Sequence, residues 1–112
     1  KASALGVSTE LLERVGAVDP EVALKMAAGV RSRLALQLML ATDQVIGVST
    51  TGVAGPDAQD GKPVGLVYIA ISGAMGDRVW EESISGDRQA IRVKSVEQVF
   101  AKIGEYLAPK AS

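Results

Sequence analysis

The 112-residue chain contains no cysteine and no histidine. The lack of cysteine rules out disulfides and thiol nucleophiles, and the lack of histidine rules out every His-based catalytic triad. Zinc sites that need these residue types are excluded as well, so a bound metal would have to be a hard cation on oxygen ligands. Any acid–base chemistry must therefore use lysine, carboxylate or tyrosine side chains. A chain without cysteine also fits the cytosol, and we expect a cytoplasmic protein.

An excess of charge of one sign and long apolar runs are also missing. The 12 basic and 13 acidic side chains give a formal net charge of −1, so we expect no non-specific binding to nucleic acid. The longest apolar stretch, residues 34–41, is interrupted by Gln37 and falls well short of the roughly 20 residues of a membrane helix. No signal-peptide pattern is visible. We therefore expect neither a nucleic-acid partner nor a membrane partner.

Hydrophobic residues make up 47% of the chain, but aromatic residues make up only 4%. A core built from alanine, valine, isoleucine and leucine suits a sheet that is covered by helices. The length is enough for one domain and not for two. Residues 1–112 are therefore predicted to form a single domain.

Local signals predict two helices, three strands and a final helix. The longer of the first two helices begins at Asp19-Pro20, because aspartate caps a helix and proline suits its first position. Gly86-Asp87 opens the last helix, which Pro109 ends. The predicted segments are helices 9–14 and 20–36 or beyond, strands 44–50, 63–72 and 78–83, and helix 88–108. Helices on both faces of a mixed β-sheet would bury these strands, which predicts a three-layer α/β fold.

The loop after the first predicted strand is the first candidate site. Residues 51–56 read TGVAGP, and their glycines allow a ligand to approach the backbone closely. The Thr50 and Thr51 hydroxyls are suited to binding a polar group. Loops at strand ends in α/β sheets often form ligand sites, although the loop also fits an ordinary turn. It matches neither the P-loop nor the dinucleotide-binding fingerprint.

Two arginines near the start of the last helix form a second candidate site. Arg88 and Arg92 are four residues apart, so they share one helix face. The helix dipole disfavours cations in the first turns, and a bound anion would account for their placement. Helix N-termini bind phosphates readily, and arginine grips them with two hydrogen bonds. The alternative is a solvated surface pair.

Other polar side chains are weaker candidates. Lys62, beside the strand-initiating Pro63, either points at an anion or is simply solvated. Asp57 and Asp60 either hold a metal ion or are solvated carboxylates on a loop. Lys1 can act as a general base if burial lowers its pKa.

Four segments, taken in order, resemble the C-terminal domain of the CinA family. They are residues 16–23 (GAVDPEVA), 51–56 (TGVAGP), 62–70 (KPVGLVYIA) and 86–92 (GDRQAIR). Each segment is weak alone, but their order and spacing make the resemblance strong, and it extends over essentially the whole chain. Some members of this family are nicotinamide mononucleotide deamidases, and others are named only as competence- or damage-inducible proteins.

The resemblance implies hydrolysis of the carboxamide of nicotinamide mononucleotide to nicotinate mononucleotide and ammonia, without a cofactor. Family members use a serine nucleophile in a Ser-x-Thr-Gly-Gly stretch, followed by a Tyr-x-Asn-x-x-Lys pattern. Lys1 matches the lysine of that pattern and is the implied catalytic base, with the serine and tyrosine expected upstream. The implied substrate-binding residues are Thr51, Gly52, Ala54, Gly55 and Lys62, together with Arg88 and Arg92 on the 5′-phosphate.

The chain departs from the family pattern in two places. The N-terminal block with its strand and nucleophile is expected to be missing, and residues 57–61 read DAQDG where the family has more glycine and a Pro-Glu pair. A non-catalytic nucleotide-binding or assembly module is therefore the main alternative. A magnesium-dependent phosphohydrolase that uses Asp57 and Asp60 is a third option. The sequence leaves a homo-oligomer open.

Overall fold

A computed structural model describes residues 7–59 and 61–108 of the chain. Three helices, a short 3-10 turn and three strands follow one another in the predicted order. They are α1 (Thr9–Val15), α2 (Pro20–Leu38), the 3-10 turn (Thr42–Gln44), β1 (Gly47–Gly52), β2 (Leu66–Gly73), β3 (Gly76–Ser83) and α3 (Arg88–Leu107). Pro109, the predicted helix stop, lies outside the described residues.

The helix starts follow from local capping. The Asp19 carboxylate accepts a hydrogen bond from the Glu21 amide at 2.9 Å, and Pro20 takes the first position of α2. At the start of α3, the Asp87 carboxylate accepts from the Ala90 amide at 2.8 Å. Such caps satisfy amides that have no partner within the helix. Both helix starts were readable from the sequence for this reason.

The first two strands begin later than predicted. Gln44, the predicted first residue of the strand, belongs to the 3-10 turn, and β1 starts three residues later at Gly47. In β2 the predicted start at Pro63 is wrong, because Leu66 donates back to the Pro63 carbonyl in a turn. Gly65, with a φ of 92°, lies at that turn and interrupts extended backbone just before Leu66. β3 begins two residues earlier than predicted, at Gly76.

The sheet has the order β1-β2-β3, and its described strands pair antiparallel throughout. Every residue of the central strand, β2, is buried. Because side chains alternate between the two faces, Tyr68 and Ala70 point towards α2, where they join a core cluster with Ala23 and Ala27.

The opposite face of the sheet is covered by α3. Lys102 of α3 lies over the Trp80 ring, 5.9 Å from its centroid. The Tyr106 hydroxyl donates to the Gly76 carbonyl at 2.7 Å. Ile69 and Ile71 of β2 point to this face and are fully buried. Helices therefore lie on both faces, and the predicted three-layer α/β arrangement is confirmed.

Within the described residues, none of the three helices is both long and apolar enough to cross a membrane.

Candidate functional site

A cavity of about 260 Å³ lies between the end of β1 and the first half of α3. This volume is near the lower end of the range for small-molecule sites, about 300 Å³. The walls come from β1 and the loop after it, from the start of β2 and from one face of α3. The lining residues are Thr50, Thr51, Gly52, Val53, Ala54, Val67, Ile91, Arg92, Ser95, Val96 and Val99.

The outer edge of β1 supplies backbone donors at this cavity. Val53 donates to the Leu66 carbonyl at 2.9 Å, and alternate residues of an antiparallel strand bond to the same neighbour. Thr51 therefore pairs with β2, whereas the amides of Thr50 and Gly52 point away from it. Among the described strands, none pairs with this edge of β1. The Thr50 and Gly52 amides therefore have no partner in β2 and face outward at the edge of β1, beside the cavity.

The two neighbouring threonines face opposite sides of the sheet. The Thr51 hydroxyl donates to the Ala17 carbonyl at 2.7 Å, on the side of α2. By strand alternation the Thr50 side chain lies on the side of α3, where the cavity is. Thr50, and not Thr51, therefore presents its hydroxyl to the cavity, while Thr51 contributes backbone. Strand alternation was the available signal for this difference.

The glycines of the loop are required by packing within the protein. A side-chain carbon on Gly52 would come within 2.9 Å of the Leu66 carbonyl oxygen and of a Val67 methyl. Gly55 has a φ of 89°, and a side-chain carbon there would come within 2.9 Å of a Val64 methyl. The close approach predicted for these glycines is thus made by β2 and its preceding turn.

Gly65 joins the ends of the three strands beside the cavity. Its amide donates to the Val53 carbonyl at 2.7 Å, and its carbonyl accepts from the Ile84 amide at 2.8 Å. A side-chain carbon at Gly65 would overlap the Ile84 carbonyl oxygen. These two hydrogen bonds fix the position of Val53, and through it the near side of the cavity.

The two arginines of α3 have different surroundings. Arg88, the first residue of α3, donates from Nη1 to the Gly55 carbonyl at 2.8 Å. Arg92, one turn later, lines the cavity and makes no hydrogen bond or ion pair with the described residues. The third cation of this region, Lys94, donates to the Ser85 carbonyl at 2.9 Å. Arg92 is therefore the cation that remains available to an anion in the cavity.

The described lining has no general acid or base. It contains no carboxylate, lysine or tyrosine, and the Ser95 hydroxyl is engaged with the Ile91 carbonyl at 2.7 Å. Burial, reinforced by a hydrogen bond and the negative charge of Glu81, raises the pKa of Tyr68. Tyr68 lies on the α2 face, away from the cavity. The described lining therefore offers hydroxyl, apolar and cationic groups but no proton acceptor.

The model of the CinA C-terminal domain family matches residues 1–107 of the chain. The chain belongs to this family. A putative competence-damage inducible protein of Acetivibrio thermocellus is 42% identical over 96% of the chain, and a CinA-like protein of Frankia casuarinae is 43% identical over 96%. The chain spans only 24% and 23% of the lengths of these relatives.

Solved CinA structures share the fold. A competence or damage-inducible protein from Enterobacter asburiae superposes with a TM-score of 0.79 at 30% identity, covering 94% of this chain and 62% of its own. The CihA protein from Agrobacterium tumefaciens gives 0.74 at 33% identity, covering 89% and 58%. The names of these relatives refer to competence and damage and not to a chemical reaction.

Only some of the predicted site residues in the CinA-like segments line the cavity. Thr51, Gly52, Ala54 and Arg92 line it. Gly55 and Arg88 lie at its rim, joined to each other, and neither is among the lining residues. Lys62 exchanges two backbone hydrogen bonds with Gln59 and does not line the cavity.

Two of the residues predicted to carry chemistry lie outside the described residues. They are Lys1, the catalytic base expected from the family resemblance, and Asp60, one of the two carboxylates of the magnesium alternative. Its partner Asp57 is exposed. Within residues 7–59 and 61–108 no group of three acidic side chains is placed to hold a metal ion.

Proposed function

We propose that this CinA domain binds nicotinamide mononucleotide and takes part in hydrolysis of its carboxamide, which yields nicotinate mononucleotide and ammonia. The observation that carries the proposal is the cavity itself. It combines outward-facing amides at the edge of β1, the Thr50 hydroxyl, apolar walls and the guanidinium of Arg92, which has no hydrogen bond or ion pair with the described residues. This set of groups suits a ligand that has an amide, a flat ring and an anion.

Each part of the cavity corresponds to a part of the substrate. The amides of Thr50 and Gly52 are suited to the carboxamide oxygen, which gains negative charge when a nucleophile attacks the carbonyl carbon. The side chains of Val67, Val96 and Val99 form an apolar wall against which the flat face of the pyridinium ring can pack. The Arg92 guanidinium is suited to the 5′-phosphate, which it can bind through two parallel hydrogen bonds.

The catalytic groups are proposed from the family resemblance. Lys1 is the proposed base, and it would take the proton of a serine hydroxyl as the serine attacks the carboxamide carbon. The carbon–nitrogen bond then breaks as Lys1 passes this proton to the nitrogen, which leaves as ammonia. Water then hydrolyses the acyl-enzyme, which releases the carboxylate and regenerates the serine hydroxyl.

The complete gene product that contains these 112 residues should be assayed for ammonia release from nicotinamide mononucleotide. We expect release by the wild type, a loss of at least about a hundredfold in Lys1→Met, and unchanged release in Lys25→Met, a matched change of an exposed lysine in α2. Equal activity in the two variants would show that Lys1 is not the base.

A second function is favoured by the absence of an acid or base from the described lining. In that case the domain binds a nucleotide or assembles with a partner and catalyses nothing. Isothermal titration with nicotinamide mononucleotide separates the two functions. Binding without ammonia release from the well-folded, complete protein would select the non-catalytic function.

A further inference from the structure

The hydrogen bond between Arg88 and Gly55 links the start of α3 to the loop at the cavity rim. We propose that Arg88 is a positioning residue. It holds the 53–56 loop at a distance from α3 that lets the edge of β1 and Arg92 contact the same ligand. This proposal rests on the proposed function for its kinetic consequences and on the geometry alone for its structural ones.

The bond joins parts of the chain that are far apart in sequence. Arg88 Nη1 lies 2.8 Å from the Gly55 carbonyl oxygen, 33 residues away. The arginine is held at its own end by the Asp87 cap on α3. Gly55 is confined by its positive φ and by the Val64 side chain. Each partner is anchored within its own segment, and the bond between them limits the separation of the loop and the helix.

The loop is fastened on its other side by β2. The Gly65 amide holds the Val53 carbonyl at 2.7 Å, so Ala54 lies between one attachment to β2 and one to α3. Val53 and Ala54 are the two residues of the 53–56 loop that line the cavity. Without Arg88 the segment keeps only its attachment to β2. The distance between the loop and α3, which sets the width of the cavity, is then no longer fixed.

The helix dipole gives an independent reason for this role. A cation at the first position of α3 is disfavoured by the positive end of the helix. A carbonyl oxygen on the guanidinium offsets that penalty, since hydrogen bonds of charged donors are stronger than neutral ones. Arg88 therefore does not need an anion to explain its position. Arg92, which has no such partner and lines the cavity, is left as the anion-binding residue.

Substrates with and without a phosphate separate the two roles. In the complete gene product, Arg92→Ala should lower kcat/KM for nicotinamide mononucleotide by about tenfold to a hundredfold through KM. The same variant should lower kcat/KM for nicotinamide riboside, which lacks the phosphate, by a much smaller factor. Arg88→Ala should lower kcat/KM for both substrates by the same factor. Arg88→Lys should recover most of the loss, because one ammonium can still donate to one carbonyl.

Hydrogen exchange tests the same proposal without any activity. Arg88→Ala should speed exchange at the amides of Ala54, Gly55 and Asp57 relative to those of β2, and Arg92→Ala should not. Unchanged exchange in Arg88→Ala would overturn the proposal. A loss confined to the mononucleotide in Arg88→Ala would also overturn it, since Arg88 would then bind the phosphate itself. If neither substrate reacts, the proposed function fails and the exchange result alone decides the role of Arg88.

Discussion

Replacing Gly65 by alanine tests how the strand ends are held together beside the cavity. The new methyl group would overlap the Ile84 carbonyl oxygen, and the backbone would keep a φ of 92°. The positive φ costs about 1–2 kcal/mol for a residue with a side chain. Relief of the overlap disrupts the hydrogen bonds to Val53 and Ile84, each worth about 1 kcal/mol net. We therefore expect a loss of about 3–4 kcal/mol in the free energy of unfolding.

Gly76→Ala is the matched control. Gly76 has a similar φ of 105°, but an added side-chain carbon would meet nothing within 4 Å. Its replacement should cost only the backbone term, about 1–2 kcal/mol. Urea unfolding, followed by the fluorescence of Trp80, measures both variants. The reasoning would be refuted if the two variants lost free energy of unfolding within about 0.5 kcal/mol of each other. The positive φ would then account for both losses, and the overlap with Ile84 would contribute nothing.

Two further predictions concern the α2 face of the sheet. Ser49→Ala should lower the free energy of unfolding by about 1 kcal/mol, because the buried hydroxyl donates to the Ala23 carbonyl, which keeps its own helical partner; an unchanged urea midpoint would contradict this. Since burial and Glu81 raise the pKa of Tyr68, the unfolded chain loses this proton first as pH rises, so stability should fall above about pH 10. Tyr68→Phe should flatten that fall in urea midpoints measured across this range, and an equally steep fall would contradict it.

The helix starts were predictable because their determinants are local. Asp19 and Asp87 cap helices within three residues of themselves, and such spacing is visible in any sequence. The start of β2 was not predicted because Pro63 begins an apolar run that looks like a strand. The chain instead turns at Gly65, whose position is fixed by Val53 and Ile84 in other parts of the sequence.

The candidate site was predictable in its location and less so in its details. The loop at 51–56 and Arg92 do meet at one cavity. The environments of Arg88 and Arg92 differ because the Gly55 carbonyl lies next to Arg88. This is a tertiary contact, and it cannot be predicted from the spacing of residues in the sequence. The orientation of Thr50 and Thr51 depends on strand alternation, and it required knowing which helix covers which face.

The most direct test of the proposed amide hydrolysis is to incubate the complete gene product with nicotinamide mononucleotide in heavy-oxygen water. The products are then analysed by mass spectrometry. We predict nicotinate mononucleotide with one heavy oxygen in its carboxylate, together with one equivalent of ammonia. Unchanged mononucleotide from a folded, ligand-binding protein would contradict the account and leave a nucleotide-binding module. Heavy oxygen in released phosphate would contradict it in favour of phosphate-ester hydrolysis.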